Sequence, residues 1–152
     1  MIQIGDNCPS FKLKNQFGEE FDLANLLGNK TLVIYFYPKD DTPGCTKEAC
    51  SFRDRFEEFK DLGCEVIGIS SDSEQKHKEF AEKHKLPFIL LADTKQEVRK
   101  SFGVPGSLFG LIPGRVTYIV GKDEKVKGIF NSLLNPLGHI DHALELVKSI
   151  GK

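Results

Sequence analysis

The chain has almost no net charge, with 21 lysines and arginines set against 22 aspartates and glutamates. A balance of −1 offers no attraction to a polyanion, so neither nucleic acid nor an anionic membrane is an expected partner. Long hydrophobic runs are missing too; the apolar stretches fall far short of the roughly 20 residues that a spanning helix needs. The start, Met-Ile-Gln-Ile-Gly-Asp, has neither a basic region nor an apolar signal core. Repeats, low-complexity segments and linkers are absent. These absences predict one domain over residues 1–152 in the cytoplasm, with a plastid as the alternative if a transit peptide has been removed. Cysteine is sparse, with four in a chain able to bury about 70% of its unfolded surface. In that setting they read as catalytic or redox groups rather than as a disulfide framework. Zinc would need a second ligand pair beside Cys45 and Cys50, and His77, His84, His139 and His142 lie on separate polar stretches. No metal or organic cofactor is expected.

What is present alternates between apolar strands and amphipathic helices. Strands are predicted at Thr31–Tyr37, Glu65–Ser70, Phe88–Ala92, Val116–Val120 and Lys127–Phe130. Val33 to Phe36 is continuously apolar, as a strand covered on both faces should be. The polar turn Gly121–Lys125 makes the last two a hairpin. Helices are predicted at Pro43–Leu62, Ser73–Lys85, Lys95–Phe102 and His139–Ile150. The order implies an α/β fold with a mainly parallel central sheet, a C-terminal hairpin and helices on both faces. Sites in such sheets gather beyond the carboxyl ends of the strands.

Cys45 falls at such an end. Thr42-Pro43 reads as an N-cap followed by proline at the first helical position, which places Cys45 in the first turn. Unpaired N–H groups and the positive helix end there stabilise a thiolate, the nucleophilic form. Cys50 is five residues on. In an α-helix the two Cα atoms stand about 8.6 Å apart, beyond the ~7 Å that a disulfide tolerates. A rigid bridge is excluded: either the pair never forms or the first turns unwind when it does. Pro43-Gly44, Thr46 and Cys50 are weak helix formers, so unwinding from that end is cheap. On its own, Cys50 is equally well read as a small residue on the helix flank.

Other candidates have plainer readings. Cys8 and Cys64 lack an activating environment and read as passive. Phe52, Phe56 and Phe59 read as core, Asp40 and Asp41 as turn residues, and Asp72 with Gln75 as a capping box. Arg115 after Pro-Gly reads, by itself, as a solvated charge. The apolar loop Ser107–Ile112 is either a cover for the core or an apolar collar for a substrate or partner.

Pro38-x-x-x-Thr42-x-x-Cys45 resembles the active-site motif of the peroxiredoxins. The longer run Phe36 to Cys50 is similar to the peroxiredoxin Q / bacterioferritin-comigratory-protein subfamily. Gly5 to Phe11, Val66 to Ser70, Leu91 to Asp93, Phe102 to Pro105, Leu108 to Arg115 and His139 to Asp141 continue the match, although Cys8 stands where a small residue is usual. The resemblance implies a thioredoxin-like fold and reduction of hydrogen peroxide and organic hydroperoxides. It implies Cys45 as the peroxidatic cysteine, Cys50 as the intramolecular resolving cysteine, and Thr42 as the hydroxyl contacting thiolate and peroxide. Pro38 shields the site in that pattern, and Arg115 is its distant arginine. Thioredoxin would be the reductant and the protein a monomer. Two rivals stand beside this reading. A dithiol oxidoreductase would need C-x-x-C, and position 48 is Glu; a peroxide sensor would use the oxidised, unwound helix to bind a partner.

Overall fold

The computed structural model describes residues 1–107 and 112–150. In chain order the elements are β1 (Lys12–Asn15), β2 (Glu20–Asp22), a 3-10 turn (Leu23–Asn25), β3 (Thr31–Phe36), α1 (Pro43–Asp54), α2 (Phe56–Asp61), β4 (Cys64–Ser70) and α3 (Glu74–His84). There follow β5 (Ile89–Ala92), α4 (Glu97–Phe102), β6 (Gly106–Ser107), β7 (Ile112–Pro113), β8 (Val116–Val120), β9 (Val126–Asn131) and α5 (Pro136–Ile150). The apolar loop Ser107–Ile112 lies, over 108–111, outside the described residues.

Seven strands form one sheet in the order β2-β1-β5-β4-β3-β8-β9. The expected α/β class holds, but the sheet is mixed rather than mainly parallel. Only β3, β4 and β5 run parallel; β8 pairs antiparallel with β3, β9 with β8, and β1 with both β5 and β2. The reason lies in the connections. Helices carry the chain back between β3, β4 and β5, whereas short turns close the two edge hairpins. Sequence reading missed β1 and β2 because Lys12–Asn15 has no apolar alternation. Its turn is closed instead by the Asn15 side chain, which accepts from the N–H groups of Phe17 and Glu19.

All six residues of β3 are buried. Val33 and Tyr35 point into one core with Phe52 of α1, Phe59 of α2, Phe80 of α3 and Val147 of α5. Leu32, Ile34 and Phe36 point into a second core with Leu23, Val98 and Phe102. This is the two-sided burial that the apolar run predicts. The single helix expected over Pro43–Leu62 is two, α1 and α2, meeting at Arg55 (φ −105°, ψ 7°). The bend keeps Phe52 and Phe59 together under the sheet, their rings 5.8 Å apart. α3 is capped by Ser73, which accepts from the Lys76 N–H, and not by Asp72, whose carboxylate is used elsewhere.

Candidate active site

β3 delivers the chain to a six-residue loop, 37–42, and the loop turns back into α1 through Asp41 in the left-handed region (φ +62°). Thr42 occupies the N-cap position and Pro43 the first turn, as expected. The Thr42 side chain makes no cap bond, however; its hydroxyl donates to the Lys39 carbonyl at 2.8 Å. With its proton so used, Thr42 Oγ1 is left as an acceptor only, and the Gly44 and Cys45 N–H groups at the helix start lack helical partners. Cys45 itself is buried, packed with Tyr35, Tyr37 and Ala49. Pro38 is half-buried at the head of the loop.

The tertiary fold brings Arg115, just before β8, onto this turn. Its guanidinium lies so close to Gly44 that a methyl group there would stand 3.0 Å from Nη2. Nε donates to the Leu133 carbonyl at 3.1 Å and Nη1 to Glu48 Oε1 at 2.6 Å. Burial works against its charge, but Glu48 and Cys45 face it and hold it above the ordinary arginine value. Arg115 is only 4% exposed, so it is not the solvated charge its neighbours in sequence suggest.

Glu48 went unrecognised in the sequence, where it served only to rule out C-x-x-C. It lies three residues beyond Cys45, hence on the same helix face, and that spacing was the available signal. It is fully buried. Burial pushes its carboxyl up to about 8, against the pull of Arg115. Its Oε2 has no hydrogen-bond partner among the described residues and stands 3.6 Å from His139 Nδ1. His139 donates from Nε2 to the Ser132 carbonyl (2.7 Å) and accepts at Nδ1 from Thr117 Oγ1 (2.8 Å). Burial pulls it down to about 4, so it is a neutral imidazole beneath the site at pH 7.

The loop itself is pinned from below. Asp40, expected to be a turn residue at the mouth, is buried and accepts from the Tyr37 hydroxyl at 2.6 Å. Its other oxygen is 2.6 Å from His77 Nδ1. His77 Nε2 donates to the Leu91 carbonyl (2.9 Å), which fixes the ring between the loop and β5. The Asp40 N–H donates to Asp72 Oδ2, which also accepts from Ser70. Asp40, Asp72 and His77 bring ligand-type atoms within 4.8 Å of one another, but those atoms are already committed to these hydrogen bonds.

Cys50 is half-buried on the same continuous helix as Cys45, and all four cysteines are free thiols. Ideal helix geometry keeps the pair about 8.6 Å apart. Bridging them requires the turns between to unwind, which draws Glu48 out of its pair with Arg115. Cys8 and Cys64 are buried, and burial pushes them up to about 12 and about 11, consistent with passive thiols.

A strand, a proline-led helix start, a buried first-turn cysteine and a guanidinium turned onto it define a thiol-based peroxidase. The model of the AhpC/TSA family matches residues 4–129, and the chain belongs to that family. It is a thiol-dependent peroxidase, grouping within the family with peroxiredoxin Q and bacterioferritin comigratory protein. It is 51% identical to the chloroplastic peroxiredoxin Q of Sedum lineare over 149 residues, covering 98% of this chain and 80% of that protein. The crystal structure of peroxidoxin BcpB from Mycobacterium tuberculosis superposes with a TM-score of 0.91 at 36% identity, over 99% of both chains. Structures bearing on alkyl peroxide reduction by the bacterioferritin comigratory protein of Xanthomonas campestris give 0.85 at 30%, over 93% of this chain and 92% of that one. The thioredoxin-like fold is shared with these neighbours.

Proposed function

We propose that Cys45 is the peroxidatic cysteine and that Cys50 resolves it. The observation that carries this is the burial of Cys45 in the first turn of α1 beneath the Arg115 guanidinium. The Cys45 thiolate attacks the terminal oxygen of a hydroperoxide; the S–O bond forms as the O–O bond breaks, and the departing alkoxide or hydroxide takes up a proton to leave as alcohol or water. Negative charge grows on that leaving oxygen. Arg115 and the N–H groups of Gly44 and Cys45 stand where they stabilise it. Thr42 Oγ1, its own proton given to Lys39, accepts from the peroxide O–H and orients it. Pro38 shelters the reacting atoms from water. α1 then unwinds over residues 45–50, Cys50 sulfur displaces water from the sulfenic acid, and a disulfide forms.

Hydrogen peroxide and organic hydroperoxides are the proposed substrates, the latter supported by the alkyl peroxide work on the Xanthomonas relative. Thioredoxin, a dithiol, is the proposed reductant of the disulfide by exchange. Family membership favours this turnover over the sensor reading. The chloroplastic relatives favour a plastid over the cytoplasm. Peroxide consumption by wild type, Cys45→Ser and Cys50→Ser with a thioredoxin system, with disulfides mapped by mass spectrometry, tests the assignment. Cys45→Ser should lose all thiol-dependent turnover, and oxidised wild type should carry a Cys45–Cys50 bridge. Undiminished turnover in Cys50→Ser with no such bridge would reassign the resolving thiol. Sedimentation of the reduced and oxidised protein checks the proposed monomer.

A further inference from the structure

A second buried arginine stands outside the motif. Arg99, in α4, is 6% exposed, yet among the described residues no carboxylate lies within 4 Å of its guanidinium. Buried charges are ordinarily paired, because desolvation costs far more than a lone hydrogen bond returns. Here the fork is spent on two main-chain carbonyls. Nη1 donates to Gly114 and Nη2 to Tyr37, each at 3.1 Å. These carbonyls belong to the residues immediately before Arg115 and Pro38. The guanidinium carbon also sits 5.7 Å from the centre of the Phe36 ring, a cation–π contact on the strand that ends in the loop. The Arg99 end is held in turn: Asp93 accepts from the N–H groups of Val98 and Arg99 at 3.2 and 2.9 Å. Burial draws Arg99 below its ordinary value, and the charge of Asp93, then that of Cys45, opposes this.

We infer that Arg99 is a positioning residue for the peroxidase reaction, clamping together the two chain segments that carry Pro38 and Arg115 over Cys45. This rests on the roles proposed above for Cys45 and Arg115. The two segments come from different strands and share no other side chain that bonds to both carbonyls among the described residues. A guanidinium is suited to the task, because its planar fork reaches two acceptors at a fixed separation, whereas an ammonium is a point charge on a flexible stem. The carbonyls it holds are also prevented from turning toward the thiolate, where their negative ends would oppose it.

The test uses full-length Arg99→Lys and Arg99→Gln, with Cys45→Ser as control. Three quantities are read: the second-order rate of sulfenic acid formation with hydrogen peroxide, the pH midpoint of Cys45 alkylation by iodoacetamide, and the melting temperature. Arg99→Lys should keep its fold and its alkylation midpoint, yet react with peroxide about 100-fold more slowly, the scale of a small misplacement of reacting groups. Arg99→Gln should be at least as slow and should also shift the alkylation midpoint upward, since the charge is gone. A wild-type peroxide rate in Arg99→Lys overturns the clamp. So does an equal loss of rate toward peroxide and iodoacetamide, or a failure of Arg99→Lys to fold, either of which makes Arg99 a structural residue. Residual thiol-dependent activity in Cys45→Ser would instead bring down the assignment of Cys45, and is distinguishable on that ground.

Discussion

The Thr42 hydroxyl has one proton, and it points at the Lys39 carbonyl. Position alone predicts a capping side chain; the geometry instead leaves an oxygen free only to accept, which is the part the proposed mechanism gives it. Thr42→Ser should therefore retain most activity, while Thr42→Val should lower the rate of sulfenic acid formation about 100-fold, the usual cost of removing one oriented hydrogen-bonding group at a reacting centre. Rapid-quench trapping of the sulfenic acid measures both. Equal rates in Thr42→Val and wild type would remove the hydroxyl from the mechanism. Arg115 and Glu48 make the same point from the other side. Nothing in Pro-Gly-Arg or in Lys-Glu-Ala announces a buried pair, since the bond joins residues 67 apart in sequence.

At the level of the element, α1 has two tasks that conflict. Intact, it places Cys45 at a helix start beside Arg115; in the proposed cycle it must unwind for Cys50 to reach a sulfenic acid on Cys45. Four of its residues, Cys45, Glu48, Ala49 and Phe52, are buried and hold it against the sheet and α5. Lys47 lies between the cysteines and is exposed, so Lys47→Gly weakens the helix by about 1 kcal/mol without touching the site. If unwinding precedes resolution, the sulfenic acid in Lys47→Gly should convert to disulfide about 5-fold faster, while the first attack on peroxide keeps its rate. An unchanged lifetime for the sulfenic acid would mean that unwinding does not limit the step. Sequence reading anticipated this helix and its weak start, but ran it on to Leu62. The bend at Arg55 keeps Phe52 and Phe59 in one core and has no local signal in the sequence.

Two buried groups give the molecule as a whole an uneven response to pH. Glu48 is raised to about 8 from an ordinary 4.5, so the folded state holds a proton that the unfolded chain has released. Its contribution is complete below about pH 4.5 and is lost as pH rises through 8. His139 is lowered to about 4 from 6.5, so its contribution is complete above 6.5 and is lost as pH falls through 4. Between about 4.5 and 6.5 the two slopes offset. Between 6.5 and 8 only Glu48 titrates, and stability should fall by about 2 kcal/mol at most. Urea midpoints at the two ends of that window, taken in a Cys45→Ser background to remove the thiol, should show the fall. Adding Glu48→Gln should flatten it. A flat profile before Glu48 is replaced would show that Glu48 is ionised in its pair with Arg115 throughout.

The amino-acid sequence by itself determined the features that depend on neighbours in the chain. A continuous apolar run made β3 a buried central strand, Thr42-Pro43 began α1, and five-residue spacing kept Cys45 and Cys50 apart in that helix, because strand burial, helix capping and helical rise are set by nearby residues. The tertiary structure decided everything that depends on which strands become neighbours. It set the pairing of β1 with β5, the contact of Arg115 with Gly44 and Glu48, the burial of Asp40 against His77, and the reach of Arg99 to Tyr37 and Gly114. These partners lie between 15 and 67 residues apart in the hydrogen bonds that join them. Their charges and hydrogen bonds acquire their strength only once packing has removed water from between them.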